Sequence, residues 1–330
     1  MARVFIESFE RGTLNQWDIT NGWTMYASAG AIGMDGTYCA YCDASTPYLI
    51  KSFTGLAELY MAFLYRPKNN SANIILSFRN GSTNIGSLRR NTSSTFLEAR
   101  RGTTGGTLLA TGSTGMVLNT TYLIEIYFKP HSTTGVFQVK VNGIAFDINF
   151  SGQTTDSPTS IDSIRFGGDG TLISAYFYLD NVIIDDAGWI GSTKIVSLVP
   201  TASGDLIEWT PLAGSNYENI DETPPSDAEF NLVNANDQTD LFELGAIPGA
   251  AYQVRSVQIY TRFVKEGTAT PTKIRPVFKT GGTLYEGLAE VSVPTSYLNN
   301  FNLLSVNPVT GIAWTIDEIN ALQLGYKSRA

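Results

Sequence analysis

Cysteine and histidine are nearly missing: the 330 residues hold two of the first and one of the second. Both cysteines lie in "YCAYC" (Cys39, Cys42). A redox pair needs a helix N-terminus to lower its thiol pKa, but the flanks "GTY" and "DASTPY" have strand composition. Residues three apart on a strand face opposite sides, so the two thiols should diverge. Zinc would need further ligands, and only His131 remains. The expectation is two reduced, structural cysteines, no metal and no cofactor.

Charge is also scarce. Asp, Glu, Lys and Arg make up 16% of the chain, against roughly 25% in an average soluble protein. The net charge is −8, and the only basic clusters are Arg89-Arg90 and Arg100-Arg101. Nucleic-acid binding needs a positive footprint to release counterions, so it is not expected. No run approaches the roughly 18 apolar residues of a membrane helix, so no membrane span is expected. "MARVFIESFERG" has no long apolar core and no cleavage signature, so it does not read as a signal peptide. The sequons at Asn69, Asn80, Asn91 and Asn119 then read as by-products of an Asn/Ser/Thr-rich surface.

What is present is strand periodicity almost throughout. In "TYLIEIYF", Tyr122, Ile124, Ile126 and Phe128 share a face. In "VFQVKVNG", Phe137, Val139 and Val141 alternate with polar residues, and Asn142-Gly143 predicts a tight hairpin into "IAFDINF". "ELYMAFLYR", "NIILSFRNG", "SIDSIRFGG" and "SAYFYLDNVIID" are further strands. In the second half, "YQVRSVQIYTRFV" is the longest alternating run, and Gly281-Gly282 joins a second hairpin. "TKIVSLVP" and "LIEWT" also alternate. The one helix signal is "TIDEINAL", where Thr315 and Glu318 form a capping box ahead of Ile316, Ile319 and Leu322. The expected fold is all-β: two antiparallel β-sandwich domains, 1–189 and 190–330, the second with one short helix near its C-terminus. Residues 203–227 lack regular periodicity around "NYENIDETPPSD" and read as an ordered, surface-hugging arm of the second domain.

The first half, with "FIESFERGTLNQWD", "LIEIYF…GVFQVKVNG" and "YLDNVIIDD", resembles a concanavalin A-like jelly roll of the laminin G or glucanase type. The run "GWIGSTKIVSLVPTASGDLIEWTP…SNYENIDETPPSD" with the closing "NPVTGIAWTIDEINALQLGYKSRA" is similar to the C-terminal module of bacteriophage virion proteins. The resemblance implies a virion structural protein, assembled in the bacterial host cytoplasm, whose partners are the major capsid protein or tail proteins and further copies of itself within a homo-oligomer. It supplies no catalytic residues.

No acidic ladder of the glucanase kind (E-x-D-x-x-E) is present. Glu125 stands alone and His131 has no evident nucleophile partner, so no catalytic residues are assigned and no enzyme is expected. Trp17, Trp23, Tyr26, Tyr38, Tyr41 and Tyr48 crowd the first fifty residues. Most should fill the sandwich, with Trp23, after Asn21-Gly22, and Tyr26 as candidates for stacking on glycan. Glu7, Glu10, Asp35 and Asp180 could meet in space, as calcium ligands do in related folds, but no loop shows a ligand ladder. Trp189, Trp209 and Trp314 read as core or interdomain packing. On the arm, Trp209, Tyr217 and Ile220 are candidate interface anchors, with Asp221 and Glu222 among the acidic groups facing a basic partner. The expected function is a non-enzymatic capsid decoration protein held by its second domain. The alternative is a tail-associated adhesin whose first domain binds host surface glycan.

Overall fold

Alternation of large apolar and polar residues decides which face of each strand turns inward. A computed structural model describes residues 3–44, 47–70, 73–169, 175–247, 252–267 and 270–330. The chain divides into two units, Met1–Ile195 and Val196–Ala330. Both are built from antiparallel strands, with one short α-helix among the described residues, so the fold is all-β as its periodicity implies. No described helix is long and apolar enough to cross a membrane.

The first unit holds β1 (Arg3–Glu7), β2 (Ile19–Asn21), β3 (Trp23–Tyr26), β4 (Cys39–Ala44), β5 (Tyr48–Leu56), β6 (Leu59–Pro67), β7 (Asn73–Asn80), β8 (Thr83–Arg90), β9 (Leu97–Arg101), β10 (Leu108–Thr111), β11 (Tyr122–Lys129), β12 (Gly135–Val141), β13 (Phe146–Gly152), β14 (Ile161–Gly167) and β15 (Ala175–Asp185). One sheet of eight strands runs β13-β12-β11-β6-β15-β4-β3, with β1 added to β15. A second sheet of seven runs β10-β9-β8-β7-β14-β5-β2. The chain passes repeatedly between the sheets, so neighbours within a sheet are often distant in sequence. Phenylalanines dominate the space between them: Phe78 stacks on Phe128 with centroids 4.3 Å apart, and Phe63 meets Phe166 edge-on at 5.1 Å. Such pairs add roughly 0.5–1.5 kcal/mol beyond the area they bury. Gly86 is required here, because a Cβ would lie 2.6 Å from the Phe128 ring. The Asn142-Gly143 hairpin forms as expected, both residues taking positive φ.

The second unit contains β16 (Pro200–Ile207), β17 (Thr210–Pro211), β18 (Asn231–Leu232), β19 (Thr239–Leu244), β20 (Val257–Phe263), β21 (Lys273–Thr280), β22 (Thr283–Tyr285), β23 (Val291–Ser292), β24 (Leu298–Leu304), α1 (Ile316–Asn320) and β25 (Gln323–Arg329). Its main sheet runs β16-β19-β25-β21-β22, with β23 also on β21. A β20–β24 ribbon and α1 supply apolar side chains to a core of Ile259, Phe278, Trp314, Ile319 and Leu322. Thr315 and Glu318 form the capping box of α1.

Three local expectations change. The division falls after Ile195 rather than after Trp189: Trp189 packs on Tyr60 and Tyr127 of the first unit, and Glu125 accepts the Gly191 N–H at 2.8 Å. Residues 193–199 are not a strand. Alternation alone cannot make one without a pairing partner, and strand structure begins only at Pro200. The arm is not irregular from Ser203, because residues 203–207 belong to β16, paired with β19.

Candidate functional site

The expected stacking pair separates. Trp23 is only 6% exposed and faces the core, where it meets Phe177 edge-on at 5.3 Å. Its strand position, opposite Cys42, overrides the turn signal before it. Tyr26, three residues on, faces away from the core beside Tyr41 and Tyr178, and the Lys68 ammonium sits 4.5 Å from the Tyr41 ring. Trp23 therefore cannot serve as an exposed glycan platform.

Of the acidic residues named from sequence, Glu10, Asp35 and Asp180 converge, while Glu7 pairs with Arg11 at 2.7 Å. The convergent carboxylates are occupied by N–H groups. Glu10 accepts from the backbone of Thr37 and Tyr38, and Asp180 from the backbone of Asn181 and Asp35. Asp35 takes the Asn181 amide. This network pins residues 35–38 to the β15 bulge. Among the described residues no cluster of three or more His, Cys, Asp or Glu is placed to hold a metal. Burial, then the charges of Asp35 and Glu10, raise the Asp180 pKa to about 8 against the opposing hydrogen bonds. His131 is a turn cap: its Nδ1 faces the N–H groups of Thr133 and Thr134, each at 3.0 Å.

The arm is engaged within its own unit. The Trp209 indole donates to the Gln238 carbonyl at 3.1 Å, and its ring lies 4.4 Å from that of Tyr326. Tyr217 and Ile220 are half-buried at a short 3-10 turn, Asn216–Asn219. The acidic groups do not all await a basic partner: Asp205 pairs with Lys279, and Asp227 with Arg262. Glu222 lies near both Asp221 and Glu229. Burial and a hydrogen bond shared with Glu229 raise Glu222 to about 7, so this group is only partly charged at neutral pH.

A different constellation emerges on the seven-stranded sheet. Four adjacent strands carry the same pattern: Glu98-x-Arg100 on β9, Ser87-x-Arg89 on β8, Ser77-x-Arg79 on β7 and Ser163-x-Arg165 on β14. The intervening Ala99, Leu88, Phe78 and Ile164 all point into the core. Strand alternation therefore turns the polar residues to the sheet's outer face. Register aligns Arg165, Ser77, Ser87 and Arg100 in one row, with Arg79 beside Ser163 and Arg89 opposite Glu98. Strands spaced at ~4.8 Å make this row ~14 Å long.

Among the described residues, six side-chain atoms on this face are buried without a hydrogen-bond partner: Ser77 Oγ, Ser87 Oγ, Thr104 Oγ1, Asn84 Oδ1, Arg79 Nε and Arg165 Nε. The three hydroxyl-bearing residues are fully buried. Native proteins leave few such groups unpaired, and each costs roughly 1–3 kcal/mol. Around them, Asp169 accepts the Thr104 N–H at 2.5 Å, and its carbonyl accepts the Asn84 amide. Arg165 lies 4.3 Å from the Tyr48 ring centroid. Burial, and then the nearby Arg79 charge, depress the Arg165 pKa. Glu98 accepts from Arg89, Arg100 and Asn91. The repeated polar-x-Arg pattern was legible in sequence. Its meaning depended on knowing that these four strands are neighbours.

No family model and no curated protein matches this sequence. Solved structures match parts of the chain. A Trypanosoma rangeli sialidase is 10% identical over 45% of this chain, with a TM-score of 0.34, and the matched part is a quarter of the sialidase's own length (25%). A cellulose-induced protein is 13% identical, covering 57% of this chain and 100% of its own, with a TM-score of 0.39. An SAP-like pentraxin of Limulus polyphemus is 13% identical, covering 43% of this chain and 70% of its own, with a TM-score of 0.34.

Proposed function

We propose that this protein is a non-catalytic, two-module binding protein whose first unit holds a saccharide on the outer face of its seven-stranded sheet. The observation that carries this reading is the set of six unpartnered buried polar atoms on that face. Hydroxyls both donate and accept, so Ser77, Ser87 and Thr104 complement the hydroxyls of a sugar once the side chains that cover them move aside. The ~14 Å row suits an extended ligand better than a single small ion. A non-catalytic role is supported by His131 being spent on a turn and by Glu98 being held between guanidinium groups.

The resemblance of the second half to virion modules makes the proposed setting a phage particle, with other virion proteins as partners of the second unit. Of the two placements, tail-associated adhesin is favoured over capsid decoration. Attachment through the arm is less favoured because Trp209 and two of the arm's acidic groups are used within its own unit. The test is binding of the purified chain to an array of bacterial surface glycans, with copy number per virion measured alongside. Glycan binding and a few tens of copies or fewer are expected. Absence of binding across the array would remove the saccharide reading, and hundreds of copies would return the protein to the capsid.

A further inference from the structure

Four guanidinium groups share the outer face of the seven-stranded sheet, and their counter-charges are unevenly placed. Arg89 and Arg100 both bind Glu98, each with a 2.7 Å contact. Among the described residues, no carboxylate clasps Arg79 or Arg165 in this way. Arg79 donates one terminal nitrogen to the Ser82 carbonyl at 3.1 Å. Arg165 stacks on Tyr48 and feels Asp169 only at a distance. Both keep Nε buried and unpartnered, and the Arg79 charge acts unfavourably on Arg165. Two like charges held together in a partly desolvated place cost folding free energy, and an anion between them would relieve that cost.

We infer that the site takes an acidic saccharide, with Arg165 and Arg79 clasping a carboxylate on the sugar and the hydroxyls of Ser77, Ser87 and Thr104, once uncovered, facing the ring hydroxyls. This rests on the saccharide reading above and adds its charge class. The two terminal nitrogens of a guanidinium form a planar fork that matches the two oxygens of a carboxylate. The hydroxyls lie next to that fork: Ser77 is opposite Arg165 in register, and Ser87 is opposite Ser77. Asp169 and Glu98 on the same face oppose a densely charged polyanion and leave room for a ligand of isolated charges. Tyr48 fixes the Arg165 guanidinium from one side, which reduces the ordering cost of the clasp.

The experiment is calorimetric titration of the full chain with a panel of uronic-acid oligosaccharides (glucuronate, galacturonate and mannuronate trimers), their carboxyl-reduced neutral counterparts and sulfated neutral trimers. At least one uronate trimer should bind at least tenfold more tightly than its neutral counterpart, with affinity falling as salt rises. Arg165→Gln and Arg79→Gln should each remove that preference, with melting temperatures at or above the parent's. Arg79 is only half-buried, so R79Q keeps the test valid if R165Q fails to fold. Equal affinity for neutral and uronate trimers would overturn the acidic-sugar inference and leave the saccharide reading standing. Binding of only the sulfated trimers would overturn the carboxylate assignment. Binding of uronates unchanged in a folded R79Q would place the anion elsewhere and overturn the clasp. Failure of every trimer together with a blank glycan array would sink both.

Discussion

Arg89 and Glu98 sit directly opposite each other on β8 and β9, with Arg89 Nε 2.7 Å from Glu98 Oε2. Arg100 reaches the same oxygen and Asn91 the other. Burial works to raise the Glu98 pKa, but the hydrogen bonds from Asn91, Arg100 and Arg89 outweigh it and bring the group down to about 2. An unfolded glutamate titrates near ~4.3. The stabilisation is therefore present above ~4.3 and lost as pH falls through about 2. Glu98→Gln should cost roughly 3 kcal/mol at pH 7, because two guanidinium groups then face a neutral amide. The deficit should shrink towards pH 2. Urea midpoints at pH 7, 4 and 2.5 measure this; a deficit that stays constant with pH would show that Glu98 contributes through packing alone.

Asp180 works in the opposite sense. Burial leads in raising it to about 8, well above the ~3.9 of an unfolded aspartate. The folded state then holds an extra proton between those values. The contribution to stability is fully present below ~3.9 and disappears as pH rises through about 8. Melting of the first unit should fall between pH ~4 and 8 and level off above it, and Asp180→Asn, which cannot ionise, should flatten that limb whatever its absolute melting temperature. Parallel curves for the parent and D180N would assign the loss to another group.

Cys39 and Cys42 lie on opposite faces of β4, Cys42 in the sandwich core and Cys39 beside Ala29, Met34 and Tyr178. Both are fully buried and unbridged. Burial, with the charges of Asp180 and Glu10, pushes the Cys39 thiol up to about 12. Neither thiol should react with a disulfide reagent in the folded protein, and both should react within minutes in denaturant. Each Cys→Ser change should cost roughly 1–2 kcal/mol by burying a hydroxyl in an apolar place. Fast stoichiometric labelling of the native protein would contradict the burial argument.

Strand alternation made most of the fold legible before any coordinates. Phe137, Val139 and Val141, the Asn142-Gly143 turn and the Thr315/Glu318 capping box all lie as their local pattern dictates. What local pattern cannot give is strand order. Trp23 looked exposed because a turn precedes it, yet its pairing with Cys42 aims it inward. The Ser/Glu-x-Arg repeats on β7, β8, β9 and β14 carry no local mark that sets them apart from solvated strand positions. They become one site only because β14 inserts next to β7 after a long excursion of the chain. The acidic arm suggested a basic partner elsewhere because Lys279 and Arg262, its actual partners, are far away in sequence.

Asp240 organises that arm and gives its test. The side chain is fully buried. Its Oδ1 accepts the backbone N–H groups of Glu208 and Trp209 at 2.7 and 2.8 Å, and its Oδ2 accepts the Asn216 amide at 2.5 Å. Asn216 also donates to the Trp209 carbonyl, and Asn231 donates to both the Asn216 carbonyl and the Tyr326 hydroxyl. One carboxylate thus anchors the start of the arm, its 3-10 turn and the β17–β18 pairing to the main sheet. Asp240→Ala leaves three N–H donors without an acceptor, and each orphaned buried donor costs roughly 1–3 kcal/mol unless it reaches water. The arm should detach rather than stay in place unsatisfied. A Glu-specific protease should then cut D240A at Glu208, Glu218 or Glu222, at least tenfold faster than it cuts the parent, while the first unit stays intact. Asp240→Asn keeps one acceptor oxygen and should fall between the two. If the arm of D240A resists cleavage as well as the parent's, the Trp209–Tyr326 contact and the β17–β18 pairing suffice to hold it, and Asp240 is not its anchor.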